Sequence, residues 1–282
     1  MKRVITICAA VILFGSGYAV AARTWNQLDC PWGVETCAYG ISGSNIVGYY
    51  VDAIGIYHGF LYNGSSWTAL NAPGAINTMV VHSDGDNMVG LYWGSNQSTP
   101  AGFLYNGSSW TNVDYPGSIG TYATGISGNN IFGSILSPSG FTGFLYNGTS
   151  WTALNYPGSP GTMPLDISGN IIVGEYGDNR TWNGGWFYNG TNWGTLPFCA
   201  YGTDGSNIVG DNKIYNINTG SLTTINIPGA TSISALDIDG ANVVGSYTDN
   251  SGISHGFVYT VPEPATLLLL GLGAAVTTKR RR

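Results

Sequence analysis

The chain has 282 residues, of which 43 are glycine and 13% are aromatic, while only 9% are charged. Disordered chains have much charge and few aromatic residues, so this composition excludes disorder and favours short strands joined by tight turns. Between Thr24 and Thr260 the only basic residues are Arg180 and Lys213, whereas this span holds every acidic residue except Glu263. Nucleic-acid binding requires lysine and arginine to neutralise phosphates, so it is excluded.

The chain begins with a predicted secretory signal peptide, residues 1–22. A basic start is followed by an apolar stretch and by Ala19-Val20-Ala21, a small-x-small cleavage site; a first buried strand or helix is the alternative. An exported protein can keep disulfides. Of the cysteines that follow the signal, Cys30 and Cys37 could form a bridge and Cys199 would be left over, while three unpaired cysteines fit the sequence equally well.

The span 23–260 is a repeat with a period of roughly 40 residues, the period typical of a β-propeller blade. Each unit contains four strand-like segments, which in the third unit are 121–127, 129–135, 143–148 and 150–156. Asn-Gly pairs separate the third and fourth segments and predict hairpins with type I′ turns, in which both central residues have positive φ; they lie at 63–64, 106–107, 147–148 and 189–190. Ser-Gly-Asn predicts a similar tight turn between the first two segments.

The two ends of this span predict ring closure. Residues 24–31 match the last strand of a unit, and residues 255–260 match the third strand of a unit. The N-terminal strand can therefore complete the last blade and remove two open sheet edges. We predict an all-β, six-bladed β-propeller of four-stranded blades, with an open β-solenoid as the alternative. The repeat resembles those of extracellular bacterial proteins with HAF-type repeats, as in VGYYVDAIGIYHGFLYNG at 47–64.

Side chains that recur at one position of several units are predicted to serve blade architecture. The recurring tryptophans are predicted to pack in the core or between blades; they are Trp25, Trp67, Trp110, Trp151 and Trp193. A recurring loop aspartate and a recurring histidine are predicted to make loop hydrogen bonds rather than to catalyse; they are Asp52, Asp178 and Asp249, and His58 and His255.

No constellation in the sequence predicts a catalytic site, a metal site or a cofactor. His58, His82 and His255 are too scattered along the chain to form a zinc motif. The acidic stretches 84–87 and 237–240 could suggest Ca²⁺, but they occupy the Ser-Gly-Asn turn position, which favours plain turns.

A ligand site is predicted where the repeat varies. The connections from second to third strand differ between units, and variation on one side of a repeat scaffold often marks the binding side. Trp93 and Trp182 break the repeat there, beside Tyr92 and Arg180. Aromatic rings stack on the apolar faces of sugars, so these four residues form the predicted polysaccharide site; simple cover of the loop backbone by both tryptophans is the alternative.

The chain ends in VPEPATLLLLGLGAAVTTKRRR, residues 261–282. Its apolar run is shorter than the span of about 20 residues that a bilayer requires, so we expect only transient membrane association through residues 265–278. This segment resembles the PEP-CTERM sorting signal of Gram-negative bacteria, with Pro262-Glu263-Pro264 as its motif. The resemblance implies export, processing by an exosortase-type enzyme, and a place at the cell surface or in the extracellular matrix.

The resulting functional hypothesis is a non-enzymatic surface or matrix protein that binds exopolysaccharide or another envelope component. A purely structural matrix protein and a polysaccharide hydrolase or lyase are the alternatives. Exposed aromatic residues on one face would favour the first hypothesis over the second, and converging carboxylates in the central channel would favour the third.

Overall fold

The computed structural model describes residues 24–95, 97–138, 140–177 and 181–261, and the backbone alone of Trp182. These residues form β-strands joined by turns and loops, and within the same ranges no helix is long and apolar enough to cross a membrane. The predicted signal peptide, the motif Pro262-Glu263-Pro264 and the apolar segment 265–278 lie outside the described residues.

The strands follow one another in a regular up-and-down order. In chain order they are β1 (Thr24–Leu28), β2 (Glu35–Ser42), β3 (Asn45–Val51), β4 (Tyr57–Tyr62), β5 (Trp67–Leu70), β6 (Ala75–Asp84), β7 (Asn87–Gly94), β8 (Ala101–Tyr105), β9 (Trp110–Asn112), β10 (Gly120–Ser127), β11 (Asn130–Ser137), β12 (Gly140–Tyr146), β13 (Trp151–Ala153), β14 (Gly161–Ser168), β15 (Ile171–Gly177), β16 (Trp182–Tyr188), β17 (Trp193–Leu196), β18 (Gly202–Thr203), β19 (Asn207–Gly210), β20 (Lys213–Asn216), β21 (Leu222–Thr224), β22 (Ser232–Asp239), β23 (Asn242–Thr248) and β24 (Ser254–Thr260).

The strands form six four-stranded antiparallel sheets, which we number as blades 1 to 6. Blades 1 to 5 each use four consecutive strands, beginning with β2, β6, β10, β14 and β18. Blade 6 has the order β22-β23-β24-β1, so the first strand of the chain completes the last blade. Contacts between each blade and the next close the ring. The predicted six-bladed β-propeller is therefore confirmed.

The closing strand is fully paired. Every residue of β1 has a partner on β24, from Thr24 opposite Thr260 to Leu28 opposite Gly256. Leu28 is buried and belongs to a core cluster with Ile46 of blade 1 and Val244 of blade 6. β1 therefore joins the two ends of the chain through a hydrogen-bond ladder and through apolar packing.

The repeated glycine of the second strand is required by close packing. A Cβ atom on Gly48 would lie 2.0 Å from the carbonyl oxygen of Cys37 and 3.0 Å from the ring of Phe60, so only glycine fits. Phe60 is fully buried, and the half-buried Trp67 packs against it with ring centroids 4.9 Å apart. The recurring tryptophan thus covers the aromatic core of its own blade, as predicted.

The type I′ prediction for the Asn-Gly turns is wrong. Gly64 has φ of 90°, but Asn63 is not among the residues with positive φ. The connection has four residues, 63–66, and the Asn63 side chain accepts hydrogen bonds from the backbone N–H groups of Ser65 (3.1 Å) and Ser66 (2.9 Å). This side-chain cap replaces the two-residue turn because an asparagine can mimic a turn of the backbone. Asn106, Asn147 and Asn189 do the same.

All three cysteines described are free thiols, so the bridge considered between Cys30 and Cys37 is not formed. Cys30 instead donates its backbone N–H to the hydroxyl of Thr36 at 2.9 Å. The hydroxyl groups of Thr78, Thr121 and Thr162 likewise accept a hydrogen bond from the backbone N–H group six residues earlier. It fixes the link that leads from one blade into the next.

Candidate functional site

The propeller has two unlike faces. The turns from first to second strand and from third to fourth strand emerge on one side, which we call the turn face. The other side, the loop face, carries the connections from second to third strand and the links between blades. Among the described residues it includes 29–34, 52–56, 71–74, 97–100, 113–119, 154–160, 197–201, 211–212, 225–231 and 249–253.

Exposed apolar side chains concentrate on the loop face. Among the residues that the structure describes, eight large apolar side chains are exposed, and seven of them lie on or directly beside this face. The seven are Trp32, Val34, Ile54, Tyr57, Ile76, Ile119 and Ile253, and the eighth, on the turn face, is Leu222. Val34, Ile76 and Ile119 occupy the same position at the start of three successive blades, two residues before Thr36, Thr78 and Thr121. The loop face therefore exposes more large apolar side chains than the turn face, and exposed apolar surface is where interaction sites are sought.

Aromatic rings reach this face along blade 1. Tyr39, on the innermost strand, lies 5.7 Å from Tyr49, which lies 5.1 Å from Tyr57, measured between ring centroids. Tyr57 is 37% exposed at the end of this row. In a second row Trp32, 50% exposed, lies 5.9 Å from the buried Tyr50. The rings of Tyr49 and Tyr50 therefore hold the exposed rings of Tyr57 and Trp32 in place on blade 1.

The described residues of the predicted ligand site are not brought together. Tyr92 and Trp93 lie at the loop-face end of β7 in blade 2, whereas Trp182 begins β16 in blade 4. Blade 3 separates them. Tyr92 is half-buried against the core, and its hydroxyl accepts a hydrogen bond from Asn112 at 3.0 Å. Trp93 is half-buried, and Arg180 lies outside the described residues.

Two of the repeated loop aspartates, Asp52 and Asp249, cap their loops as predicted, and the third, Asp178, lies outside the described residues. Asp52 accepts hydrogen bonds from the backbone N–H groups of Ile54 and Ile56, at 3.0 and 2.9 Å, and its other oxygen lies 3.0 Å from His58 Nε2. Asp249 caps its own loop in blade 6 in the same way. The hydrogen bond from Ile56 and then that from His58 lower the pKa of Asp52. These groups stabilise loop-face connections.

A second group of ionisable residues meets inside the central channel. The innermost strands of five blades carry a β-bulge, and the position after the bulge points toward the axis. Around the ring this position is glycine in blades 1, 3 and 5 and ionisable in blades 2, 4 and 6; the residues are Gly40, His82, Gly125, Asp166, Gly202 and Asp237. His82 Nε2 lies 3.0 Å from Asp166 Oδ1 and 3.9 Å from Asp237 Oδ2.

The channel group is buried, and its charges shift one another's pKa values. The side chains of His82, Asp166 and Asp237 are 13%, 3% and 4% exposed. Burial alone would lower the pKa of His82, but Asp166, Asp237 and Asp84 together raise it to about 9. Burial, and then the neighbouring Asp166, raises the pKa of Asp237 well above its usual value.

Both carboxylates of the channel already accept hydrogen bonds from the backbone. Asp166 accepts hydrogen bonds from the backbone N–H groups of Ile167 and Thr203, both at 2.6 Å, and Asp237 accepts from those of Ile238 and Ile41, both at 2.7 Å. Thr203 and Ile41 belong to the next blade in each case. The two aspartates therefore join blades 4 and 5 and blades 6 and 1.

Sequence reasoning missed this group because the three residues are far apart in the chain. A signal was present: His82, Asp166 and Asp237 each stand three positions before the turn glycine of their units, Gly85, Gly169 and Gly240. Equal positions in alternate blades of a ring face one another across its axis. Alignment of the units, rather than a search for local spacing, would have brought them together.

Comparison with known families shows that the protein is exported. Residues 260–282 match the PEP-CTERM protein-sorting motif. The PEP-CTERM motif identifies an exported protein that is held transiently at the membrane and processed by an exosortase. The expectation of export and exosortase processing, drawn from Pro262-Glu263-Pro264, is therefore confirmed. No curated protein matches the chain.

Several solved structures are similar to the chain. The β-propeller domain of the Trilobed protease from Pyrococcus furiosus has a TM-score of 0.48 at 12% identity, over 80% of this chain and 79% of that one. TolB from Acinetobacter baumannii has a TM-score of 0.41 at 15% identity, over 80% of this chain but only 54% of that one. The six-bladed fungal lectin Aleuria aurantia lectin has a TM-score of 0.44 at 15% identity, over 81% and 96%. Because the identities and TM-scores are low, these similarities do not indicate a function.

Proposed function

We propose that this exported propeller is a non-enzymatic binding protein of the cell surface or extracellular matrix of a Gram-negative bacterium, and that its loop face binds exopolysaccharide. The observation that carries the proposal is the concentration of exposed apolar side chains on that face, with Trp32 and Tyr57 held by the rings behind them. An aromatic ring offers a sugar a large apolar surface at a low cost in conformational entropy.

The negative charge of the protein restricts which class of polysaccharide it can bind. The propeller span contains two basic residues, Arg180 and Lys213, against many acidic ones. A strongly negative surface repels a polyanion over the distance of a Debye length, about 8 Å at physiological salt. The ligand is therefore a neutral polysaccharide rather than one rich in uronic acid, sulfate or phosphate groups.

A hydrolase or lyase is the weaker candidate, although carboxylates do converge in the channel. The cavity beside Asp166 and Asp237 has a volume of about 50 Å³, and a wider cavity on the turn-face side that also reaches Asp237 has about 220 Å³. Both are smaller than pockets for small molecules, which have about 300–1,000 Å³. Both carboxylates also accept backbone hydrogen bonds from two blades. The channel group therefore supports architecture better than hydrolysis.

The test is binding of the purified protein to exopolysaccharide from its own host. The double variant Trp32→Ala, Tyr57→Ala is expected to bind about tenfold more weakly or worse, a loss of about 1.4 kcal/mol or more. Leu222→Ala is the matched control, because Leu222 is 50% exposed like Trp32 but lies on the turn face. Full binding by the folded double variant, or an equal loss in the control, would refute the proposal.

The sequence-predicted pair is tested alongside. The variant Trp93→Ala, Trp182→Ala reports whether the edges of blades 2 and 4 also contribute to binding. If these two substitutions weaken binding further when they are added to Trp32→Ala and Tyr57→Ala, the site extends across the loop face. Unchanged affinity would remove this pair from it.

A further inference from the structure

The group on the ring axis has the arrangement of a chelating site. His82, Asp166 and Asp237 each offer one ligand atom, and these atoms all lie within 4.8 Å of one another. Both carboxylates approach the same ring nitrogen, Nε2 of His82, at 3.0 and 3.9 Å. The three ligand atoms therefore lie close enough together to share one cation.

The spacing suits a small divalent cation. Nitrogen and oxygen ligands lie about 2.0–2.2 Å from Zn²⁺, so two ligands at a tetrahedral angle lie roughly 3.3–3.5 Å apart. The two distances from His82 Nε2, 3.0 and 3.9 Å, fall on either side of that value. Three protein ligands leave one position of a tetrahedron open, and the adjacent cavity of about 50 Å³ exceeds the volume of about 30 Å³ that a water occupies.

The surroundings of the three ligands favour a bound cation. Backbone N–H groups orient both carboxylates, as outer-shell partners do in metal sites. Two buried carboxylates face one imidazole, and a divalent charge would balance both of them.

The neighbouring glycines keep the axis open for these side chains. A Cβ atom on Gly202 would lie 2.8 Å from Asp237 Oδ1, and one on Gly40 would lie 3.1 Å from His82 Cα. A wider cavity of about 220 Å³ leads from His82 and Asp237 to the turn face and is lined by Asp84, Asp204 and Asp239 among others. Acidic side chains at its mouth would attract a cation toward the axis.

We propose that His82 Nε2, Asp166 and Asp237 bind one divalent transition-metal cation, of which Zn²⁺ is the best fit, and that this cation ties blades 2, 4 and 6 together across the ring axis. Imidazole nitrogen selects this class over Mg²⁺ and Ca²⁺, which prefer all-oxygen sites. The site is structural and independent of the loop face.

The test uses the full chain, freed of metal by a chelator and titrated with Zn²⁺ and Co²⁺. One equivalent of either metal is expected to bind, with a visible Co²⁺ spectrum of tetrahedral type and a rise in melting temperature. His82→Gln and Asp166→Asn are each expected to weaken binding by more than about 100-fold, because loss of even an outer partner costs about 10- to 100-fold.

The matched control is His255→Gln. His255 also lies between two carboxylates, but Asp29 approaches its Nδ1 at 2.9 Å and Asp249 its Nε2 at 3.5 Å, on opposite sides of the ring. This control is expected to bind one equivalent unchanged. Absence of Zn²⁺ and Co²⁺ binding in the unaltered chain would overturn the proposal, as would binding that either channel variant retains or that the control loses. If a channel variant fails to fold, the titration and spectrum of the unaltered chain decide.

Discussion

Ring closure by the first strand can be tested at Leu28. The leucine is 8% exposed and packs in a cluster that contains residues of blades 1 and 6. Replacement of a buried leucine by alanine costs about 2–5 kcal/mol. One kcal/mol corresponds to about 2–4 °C in melting temperature for a domain of this size. Leu28→Ala is therefore expected to lower the melting temperature by roughly 4–20 °C.

The control for this prediction lies on the same strand. Asn26 is exposed and pairs with Val258 through its backbone. Asn26→Ala is expected to change stability by no more than about 0.5 kcal/mol, as surface substitutions usually do. Both variants and the parent are compared by thermal unfolding followed by circular dichroism. If Leu28→Ala melts at the same temperature as Asn26→Ala, β1 does not close the ring in solution.

Three further predictions concern the channel, the loops and the tail. Gly202→Ala is expected to destabilise by about 1–3 kcal/mol, because its Cβ would lie 2.5 Å from Asp237 Cα. The control is Gly94→Ala, whose Cβ would meet only the flexible end of Gln97 at 3.2 Å, so its free energy of unfolding in denaturant should be nearly that of the parent. If the two variants lose equal stability, the side chains around the ring axis are not closely packed. Burial alone would lower the pKa of His255, but Asp29 and Asp249 outweigh it and raise the pKa. A raised pKa stabilises the fold below the unfolded value of about 6.5, and the gain is lost as pH rises through the folded pKa. His255→Gln should therefore lower the melting temperature more at about pH 5.5 than at about pH 9, and a pH-independent difference would refute this. Exosortase processing predicts that the intact mass of the surface form lacks Lys279–Arg282, and recovery of protein that ends at Arg282 would contradict it.

The sequence predicted the ring because the repeat is visible in the chain itself. The Asn-Gly pairs, the repeated glycine of the second strand and the phase of the two ends together predicted four strands per unit and closure by residues 24–31, of which Thr24–Leu28 form the strand. The turn type was predicted wrongly because a dipeptide rule considers only backbone φ. The side chain of Asn63 caps two backbone N–H groups and so stabilises a longer connection.

The candidate sites were harder to predict because they depend on which units face one another. Trp93 and Trp182 break the repeat, but blade 3 separates them. Trp32 and Tyr57 gave no local signal, because exposure is a property of the folded face rather than of the residue type. His82, Asp166 and Asp237 meet only after six blades close into a ring.

The central claim is that the loop face binds a neutral polysaccharide, and hydrogen–deuterium exchange tests it most directly. Backbone exchange of the protein is measured with and without exopolysaccharide from its host. The account predicts slower exchange at residues 29–34 and 52–57 on the loop face of blade 1, and unchanged exchange at the turn-face connections 63–66 and 106–109. Protection confined to the turn face, or no protection at saturating polysaccharide, would contradict it.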